Sequence, residues 1–365
     1  MSQLNHIPKS ALKFAICLLL LAWIFHAIFL NEAKAAHDAQ GQDWETLGTS
    51  ARWKLAWTAG PAELWSTIRG ANPLWLGVSL GCVGVVLGLG IARWRLALRV
   101  QKLDLPWQRI VEISLVAHFF NSFLLGSTGG DLSKAYFVAR ETRHLKTEAV
   151  VTVVVDRLLG LFAMLAFAVS MMPFNSRLIL QHKALEAISL FILAMFGAFG
   201  TLSCLAFWGG FSRAFPNGRA WLRKLPKGAL LETSIDACRP FGRDRLFLTR
   251  AFLLSALLNT TCVLQVIAVA QALHCFIPLK AAFLLVPSII CISALPITPS
   301  GLGVRENLFV LLLTMPGIGL PPTTSLSISI LAFAGSLAWS LVGGALYFFY
   351  RDQHHLAELS RSSSA

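Results

Sequence analysis

Apolar runs of eighteen or more residues recur along this chain, and they restrict its fold more than any other feature. A run of that length crosses the hydrocarbon core of a bilayer as a helix, and in hydrocarbon every peptide group must find its partner within the protein. The expected class is therefore all-α, a polytopic integral membrane protein. Nothing alternates apolar and polar over segments of about ten residues, which argues against a transmembrane β-barrel. Composition agrees: 56% of residues are hydrophobic and 13% charged, against about 25% charged in a soluble domain.

The formal net charge is +13. In a soluble protein that excess would suggest nucleic acid. Here the basic residues gather in loops between apolar runs, the bias of cytoplasmic loops in inner-membrane proteins. Anionic lipid head groups, not nucleic acids, are the partners this charge predicts. Seven cysteines lie mostly inside apolar runs with no CxxC spacing, and read as small apolar residues. His274-Cys275 and His354-His355 have no further ligands nearby in sequence, so no metal is expected. No P-loop, dinucleotide fingerprint or Ser-His-Asp set is present, so no cofactor and no nucleotide-driven pump are expected.

Six crossing helices are expected, over Phe14–Leu30, Pro73–Ile91, Val150–Met172, Ala184–Trp208, Phe247–Leu273 and Ser325–Tyr350. The first is read as a retained anchor, with a cleaved signal peptide (residues 1–35, ending at Ala33-Lys34-Ala35) as the alternative. Residues 36–71 form an external segment whose Trp53, Trp57 and Trp65 suit the membrane interface. Residues 72–350 form the transmembrane domain, and 351–365 a cytoplasmic tail. Loop 209–250 holds nine Lys/Arg and three acids, which places it in the cytoplasm.

The remaining apolar segments are interrupted. Residues 110–126 have basic stretches at both ends, so a single crossing would put one of them on the wrong side. Re-entry solves this: the chain enters, breaks at Ser127–Gly130 and returns over Asp131–Arg140, with Asp131 as N-cap. A second run, Ala281–Pro299, breaks at Leu295–Gly303 and returns as Glu306–Met315. The two breaks share Ser-x-Leu-x-x-[Ser/Thr]-x-x-Gly-x-x-x-[Lys/Arg], from Ser122 to Lys134 and from Ser293 to Arg305, 171 residues apart. Paired broken segments at matching places in two halves point to a transporter site and make the halves candidates for an inverted repeat.

Broken backbone at membrane depth is tolerated where it lines a polar cavity. Candidate substrate-binding residues are therefore those of the two breaks and the charges around them: Asn121, Ser127, Gly129, Gly130, Asp131, Lys134, Asp156, Arg157, Thr298, Gly301, Gly303, Arg305 and Glu306. Arginine's planar fork suits a phosphate diester, and the half-helix N-termini add positive dipole ends. The acids balance the arginines or carry a proton. Adjacent residues on a helix do not face one another, so Asp131 is expected to pair with Arg305, and Arg157 with Glu306. Structural ties across helices are the alternative reading of Asp156 and Arg157. His118 reads as a satisfied buried histidine, with a head-group role open.

Three stretches, Asn121-x5-Ser127-Thr128-Gly129-Gly130-Asp131-Leu132-x-Lys134-Ala135, then Val155–Leu161, then Leu295–Glu306, together resemble the flippase-like transmembrane domain of lysylphosphatidylglycerol synthases. The similarity runs from about Pro73 to Tyr350. The first motif lacks the proline the family usually places before its glycines, and residue 156 is Asp where Glu is more usual. The chain ends at Ala365 without the soluble aminoacyl-transferase domain of the two-part synthases, so the resemblance implies a stand-alone member that moves lipid and is not itself an enzyme. The expectation is an inner-membrane flippase or lipid-linked-substrate transporter for a phospholipid or polyprenyl-linked lipid, with a cytoplasmic C-terminus. Two alternatives stay open. One is an enzyme or accessory protein for polyprenyl-linked glycosyl transfer, using Asp43 and Glu45 or a partner synthase or glycosyltransferase. The other is a non-transporting scaffold.

Overall fold

A computed structural model describes residues 26, 29, 30, 33, 34, 37, 46–123, 129–142, 145–207, 237–295 and 301–362. Helices and the turns between them make up these residues, with no strand among them. Ten helices carry the argument: α1 (Thr49–Arg69), α2 (Pro73–Val100), α3 (Trp107–Phe123), α4 (Gly129–Glu141), α5 (Lys146–Met171), α6 (Lys183–Phe207), α7 (Arg245–Ala272), α8 (Leu279–Ser293), α9 (Val304–Leu313) and α10 (Pro322–Ser362). Five helices (α2, α5, α6, α7 and α10) are long and apolar enough to cross a bilayer. They coincide with five of the six expected crossings. The sixth, Phe14–Leu30, lies largely outside the described residues. The protein is thus an all-α, multi-pass membrane protein.

The helix ends follow from local chemistry. Asn72 caps α2, its side chain accepting from the Leu74 N–H at 3.0 Å, with Pro73 at the first helical position. Asp244 caps α7 by accepting from the Phe247 N–H at 2.9 Å. Both helices run 28 residues. Each then turns on a residue with positive φ, Lys102 (φ 55°) and His274 (φ 57°), the only non-glycine cases among the described residues. The Leu103 N–H returns to the Leu98 carbonyl, and the Cys275 N–H to the Ala270 carbonyl. Caps, lengths and terminal turns all match at an offset of 172, one away from the motif's.

That correspondence extends over a whole unit. Moved by 171 or 172 positions, α2 falls on α7, α3 on α8, and α4 and α5 overlap α9 and α10. In sequence, Phe14–Leu30 falls within α6. The packing obeys the same exchange. The α4 helix rests on α5 as α9 rests on α10, while α3 rests on α10 as α8 rests on α5. Helices α2 and α7, which correspond to each other, pack side by side. Asn72 meets Ala272, Ser79 meets Gln265, Gly90 meets Leu258 and Arg93 meets Ser255. One number rises as the other falls, so these two corresponding helices run antiparallel. The two halves form an inverted repeat.

Each hairpin closes on a glycine at the same motif position. A Cβ on Gly130 would collide with the Ala117 carbonyl of α3, and one on Gly301 would lie 2.8 Å from the Ser293 carbonyl of α8. Gly301 also has φ +69°, a conformation that glycine adopts without strain. The motif's shared glycine is therefore the point where the returning arm touches the entering one.

Some boundaries differ from the sequence expectation. The α5 helix begins at Lys146, so Asp156 sits three turns inside it. The α4 helix begins at Gly129, which puts Asp131 within its first turn instead of at its cap. The reason is that the Gly130 N–H is already taken by the Asn121 side chain at 2.9 Å. The last helix continues to Ser362 instead of ending at Tyr350.

Apolar side chains such as Val78, Phe191 and Phe252 remain exposed on α2, α6 and α7, as expected where the solvent is lipid. The interior is held by close packing, since lipid offers no hydrophobic drive for helices to associate. Trp94, Leu98, Ile113 and Val138 centre one buried cluster; Leu165, Leu285, Ile289 and Leu312 centre another. Outside them, α1 exposes Trp53, Trp57 and Trp65 and packs through Leu64 against Leu326.

Candidate functional site

The two hairpins face a cavity of 330 Å³ to which α3, α5, α7, α8, α9 and α10 all contribute. Arg157 of α5 and Arg305 of α9 both line it, with His118, Asn121, Gln265, Ser293, Phe333 and Ser336 among their neighbours. His118 and Asn121 also line a second chamber of 150 Å³, walled by Asp131, Lys134 and Asp156. The charges that sequence reading singled out therefore surround two adjoining spaces at the junction of the halves.

Asp156 organises the inner chamber. One carboxylate oxygen accepts from Arg93 Nε at 2.8 Å, and the other lies 3.6 Å from Lys134 Nζ. Arg93 also donates to the Ser255 hydroxyl at 2.9 Å, which ties α2, α5 and α7 together. The Lys134 ammonium stands 4.1 Å from the centre of the Trp94 ring, and the Trp94 indole donates to Thr152. The Asp156 side chain is only 12% exposed. A buried carboxylate with two cations on its two oxygens is a fully occupied structural tie, and removing any member strands a charge.

The outer cavity is arranged differently. Arg157 Nε lies 3.6 Å from Asp131, with both side chains about one-third exposed (34% and 32%). Arg305 lies with its guanidinium 4.1 Å from the centre of the Phe333 ring, and donates to Glu306 from Nε at 3.1 Å and from Nη2. The other Glu306 oxygen accepts the Gly303 N–H at 2.6 Å. The expected partners are thus exchanged. Asp131 pairs with Arg157 instead of Arg305, and Glu306 pairs with Arg305 instead of Arg157. The adjacent pair at 305 and 306 meets because Glu306 folds back onto the start of α9, which carries its carboxylate to where Arg305 emerges.

This changes where an anion would be held. The first turn of α9 is already met by Glu306, and that of α4 carries Asp131 and gives its Gly130 N–H to Asn121. The guanidiniums of Arg157 and Arg305, not the helix N-termini, are the cationic groups presented to the cavity. The Ser293 hydroxyl, buried in its wall, has no partner among the described residues. His118 Nε2 lies 3.1 Å from the Ser336 carbonyl, which pins α3 to α10.

Of the expected site residues, Asn121, Asp131, Lys134, Asp156, Arg157 and Arg305 line these spaces. Gly130, Gly301, Gly303 and Glu306 stand behind them, Gly130 bonded to Asn121, Gly301 against Ser293, and Gly303 and Glu306 joined to Arg305. Gly129 opens α4. Ser127 and Thr298, at the tips of the breaks, lie outside the described residues. So do Asp43 and Glu45 of the rival enzymatic reading. Sequence reading missed Arg93 as a site residue, because it stands among five basic residues (Arg93, Arg95, Arg99, Lys102, Arg109) that fit a topology signal. It also missed Gln265, Ser293 and Phe333, which carry no charge to draw notice inside apolar runs.

The lysylphosphatidylglycerol synthase TM region family model matches residues 46–345. Two proteins of Methanothermobacter thermautotrophicus, each described as a UPF0104 membrane protein, are similar to the chain. One is 24% identical over 322 residues, covering 82% of this chain and 90% of the relative. The other is 26% identical over 111 residues, covering 30% of this chain and 33% of the relative. The matched span contains both hairpins, the inverted repeat and every described charge of the two chambers, and the chain therefore belongs to the lysylphosphatidylglycerol synthase transmembrane-region family.

Proposed function

We propose that this protein moves an anionic lipid, or a lipid-linked substrate, across the membrane, taking its head group into the cavity between the two halves. The observation that carries this reading is the convergence of Arg157 and Arg305, one from each half, on one cavity bordered by both broken segments. Ionisable groups at membrane depth are costly and typically face a pathway or one another. Here they do both.

Counting charges narrows the substrate. Arg93, Lys134, Arg157 and Arg305 face Asp131, Asp156 and Glu306, four positives against three negatives. The tips of the two breaks, 124–128 and 296–300, contain no charged residue in sequence. Across the two adjoining chambers one positive charge is left over, on the inner side where Arg93 and Lys134 share Asp156, while the outer pairs of Arg157 with Asp131 and Arg305 with Glu306 balance. That total matches a singly charged phosphodiester head group. The inverted repeat supplies the movement: rocking one half against the other exposes a fixed site to each side in turn. The acids balance the guanidiniums when no lipid is present. In this reading the protein sits in a bacterial inner membrane with its C-terminus in the cytoplasm, and moves lipid without making it.

The test is translocation of a fluorescent phosphatidylglycerol in proteoliposomes, wild type beside Arg305→Ala. The expected result is transport by the wild type, lost in a variant that still inserts and reconstitutes. Unchanged transport by Arg305→Ala removes Arg305 from the site. No transport by the wild type of any singly charged lipid removes the transport reading.

A further inference from the structure

A separate cavity of 470 Å³ lies between α5, α6 and α7, outside the charged chambers. Its walls are apolar, with Phe162, Ala163, Ala251 and Phe252 among them, and it opens where Phe252 and Leu253 are half-exposed or more. All three helices are long and apolar enough to span the bilayer, so what meets that opening is lipid.

Three hydroxyls interrupt the walls, and that of Thr249 is taken by the Arg245 carbonyl. Ser203, 8% exposed, carries a hydroxyl with no partner among the described residues. Ser255 takes the hydrogen bond from Arg93, the same guanidinium that holds Asp156 of the inner chamber. Gly160 leaves the space that guanidinium fills, since a Cβ there would lie 2.8 Å from Arg93 Nη2. One side chain therefore separates the apolar slot from the charged site.

The repeat shows that the slot is not an inevitable product of the fold. In the other half, the Trp339 indole donates to the Leu80 carbonyl and fills the space over Gly84. At the offset of 172 that matches α2 to α7, Leu80 becomes Phe252 of the slot, while Trp339 becomes Phe167, or Ala168 at 171. Neither lines the slot, and the Phe167 ring stacks instead on Phe283 of α8. The crevice is plugged by a large ring in one half and left open in the other.

We infer that this slot is a binding site for one ester-linked acyl chain of a membrane lipid, the Ser203 hydroxyl donating to the ester carbonyl and the head group lying toward Arg93. It rests on the transport reading only in the identity of that head group. The experiment uses proteoliposomes containing phosphatidylglycerol with a diazirine on one acyl chain, with illumination, digestion and mass spectrometry. Cross-links are expected to concentrate on residues 159–163 and 248–255 above the level at the lipid-facing Val78 and Val85 of α2. Gly200→Leu should remove most of them. A Cβ at Gly200 meets only Phe162, at an ordinary 3.5 Å, so the helix accepts the substitution while the side chain enters the slot. Gly197→Leu, with nothing within 4 Å of its Cβ, should leave labelling unchanged. Labelling no denser than on α2, or equal in Gly200→Leu and wild type, overturns the inference. Translocation measured in the same vesicles is a separate readout, so concentrated labelling without transport supports the slot and counts only against the transport reading.

Discussion

The two halves share a backbone plan but not a charge plan. Their returning arms each carry the motif's basic residue, Lys134 in α4 and Arg305 in α9, and each cation stands 4.1 Å from an aromatic ring centre. Lys134 is committed to Asp156 alongside Arg93. Arg305 pairs with its neighbour Glu306, and it lines the open cavity. At the offset of 172 that matches α2 to α7, Arg93 becomes Gln265, and moved by 171 Asp156 and Arg157 become Ser327 and Ile328, so the second half has no charged counterpart of the tie. The backbone repeat thus fixes where the broken segments go, and the unmatched charges give the halves different work. One half is locked by an ion cluster, while the other offers a cation to whatever occupies the cavity.

The strongest way to break this comparison is to remove the tie. Asp156→Ala leaves Arg93 and Lys134 buried without their shared carboxylate, a loss expected to cost about 3–5 kcal/mol. The matching change in the other half, Ser327→Ala, removes one hydroxyl bond to the Thr323 carbonyl, worth about 1 kcal/mol. Thermal unfolding in detergent should show a large drop for the first and a small one for the second. Equal drops would mean that the ion cluster is not what distinguishes the halves.

A smaller effect probes the feature the halves share. Gly130→Ala places a methyl group against the Ala117 carbonyl, a backbone atom that cannot swing aside. Overpacking of that kind costs about 1–3 kcal/mol. Gly77→Ala meets nothing within 4 Å and serves as the control. Protease protection of the first hairpin should fall in Gly130→Ala and hold in Gly77→Ala. Intact protection in Gly130→Ala would show that the hairpin does not need its close approach.

The contrast between the halves also explains what the sequence disclosed. Apolar runs and basic loops located the crossings α2, α5, α6, α7 and α10, because a spanning helix must be long, apolar and flanked by charge. Five motif agreements located both hairpins because small residues at a break are constrained locally, by contact between neighbouring arms. Partner choice was not legible. The sequence suggests Asp131 with Arg305 and Glu306 with Arg157, yet the pairs are Asp131 with Arg157 and Glu306 with Arg305. A linear pattern gives the face of a helix but not the height or rotation of its neighbour. The same limit hid Arg93, whose role depends on α5 bringing Asp156 beside it. The slot beside α6 was hidden for another reason: it is a space that no side chain enters, Phe167 lying on Phe283 instead, and nothing in one sequence marks an absence.

The finest prediction separates structure from selectivity at one residue. Asp131 and Arg157 are 3.6 Å apart and about one-third exposed, so Asp131→Asn should cost at most about 1 kcal/mol of stability. Its effect on the cavity should be larger than its effect on the fold. Neutralising Asp131 leaves four positives against two negatives and releases Arg157 toward the cavity. A site matched to one negative charge then becomes better matched to two. In proteoliposomes, the ratio of fluorescent phosphatidic acid to fluorescent phosphatidylglycerol translocated should rise in Asp131→Asn, at a pH where phosphatidic acid carries its second charge. It should fall back as the pH is lowered and that second charge is lost. A ratio unchanged by the substitution would mean that Asp131 only positions Arg157, and that the charge balance of the cavity does not select its ligand. A ratio that rises at every pH alike would point to head-group size instead of charge.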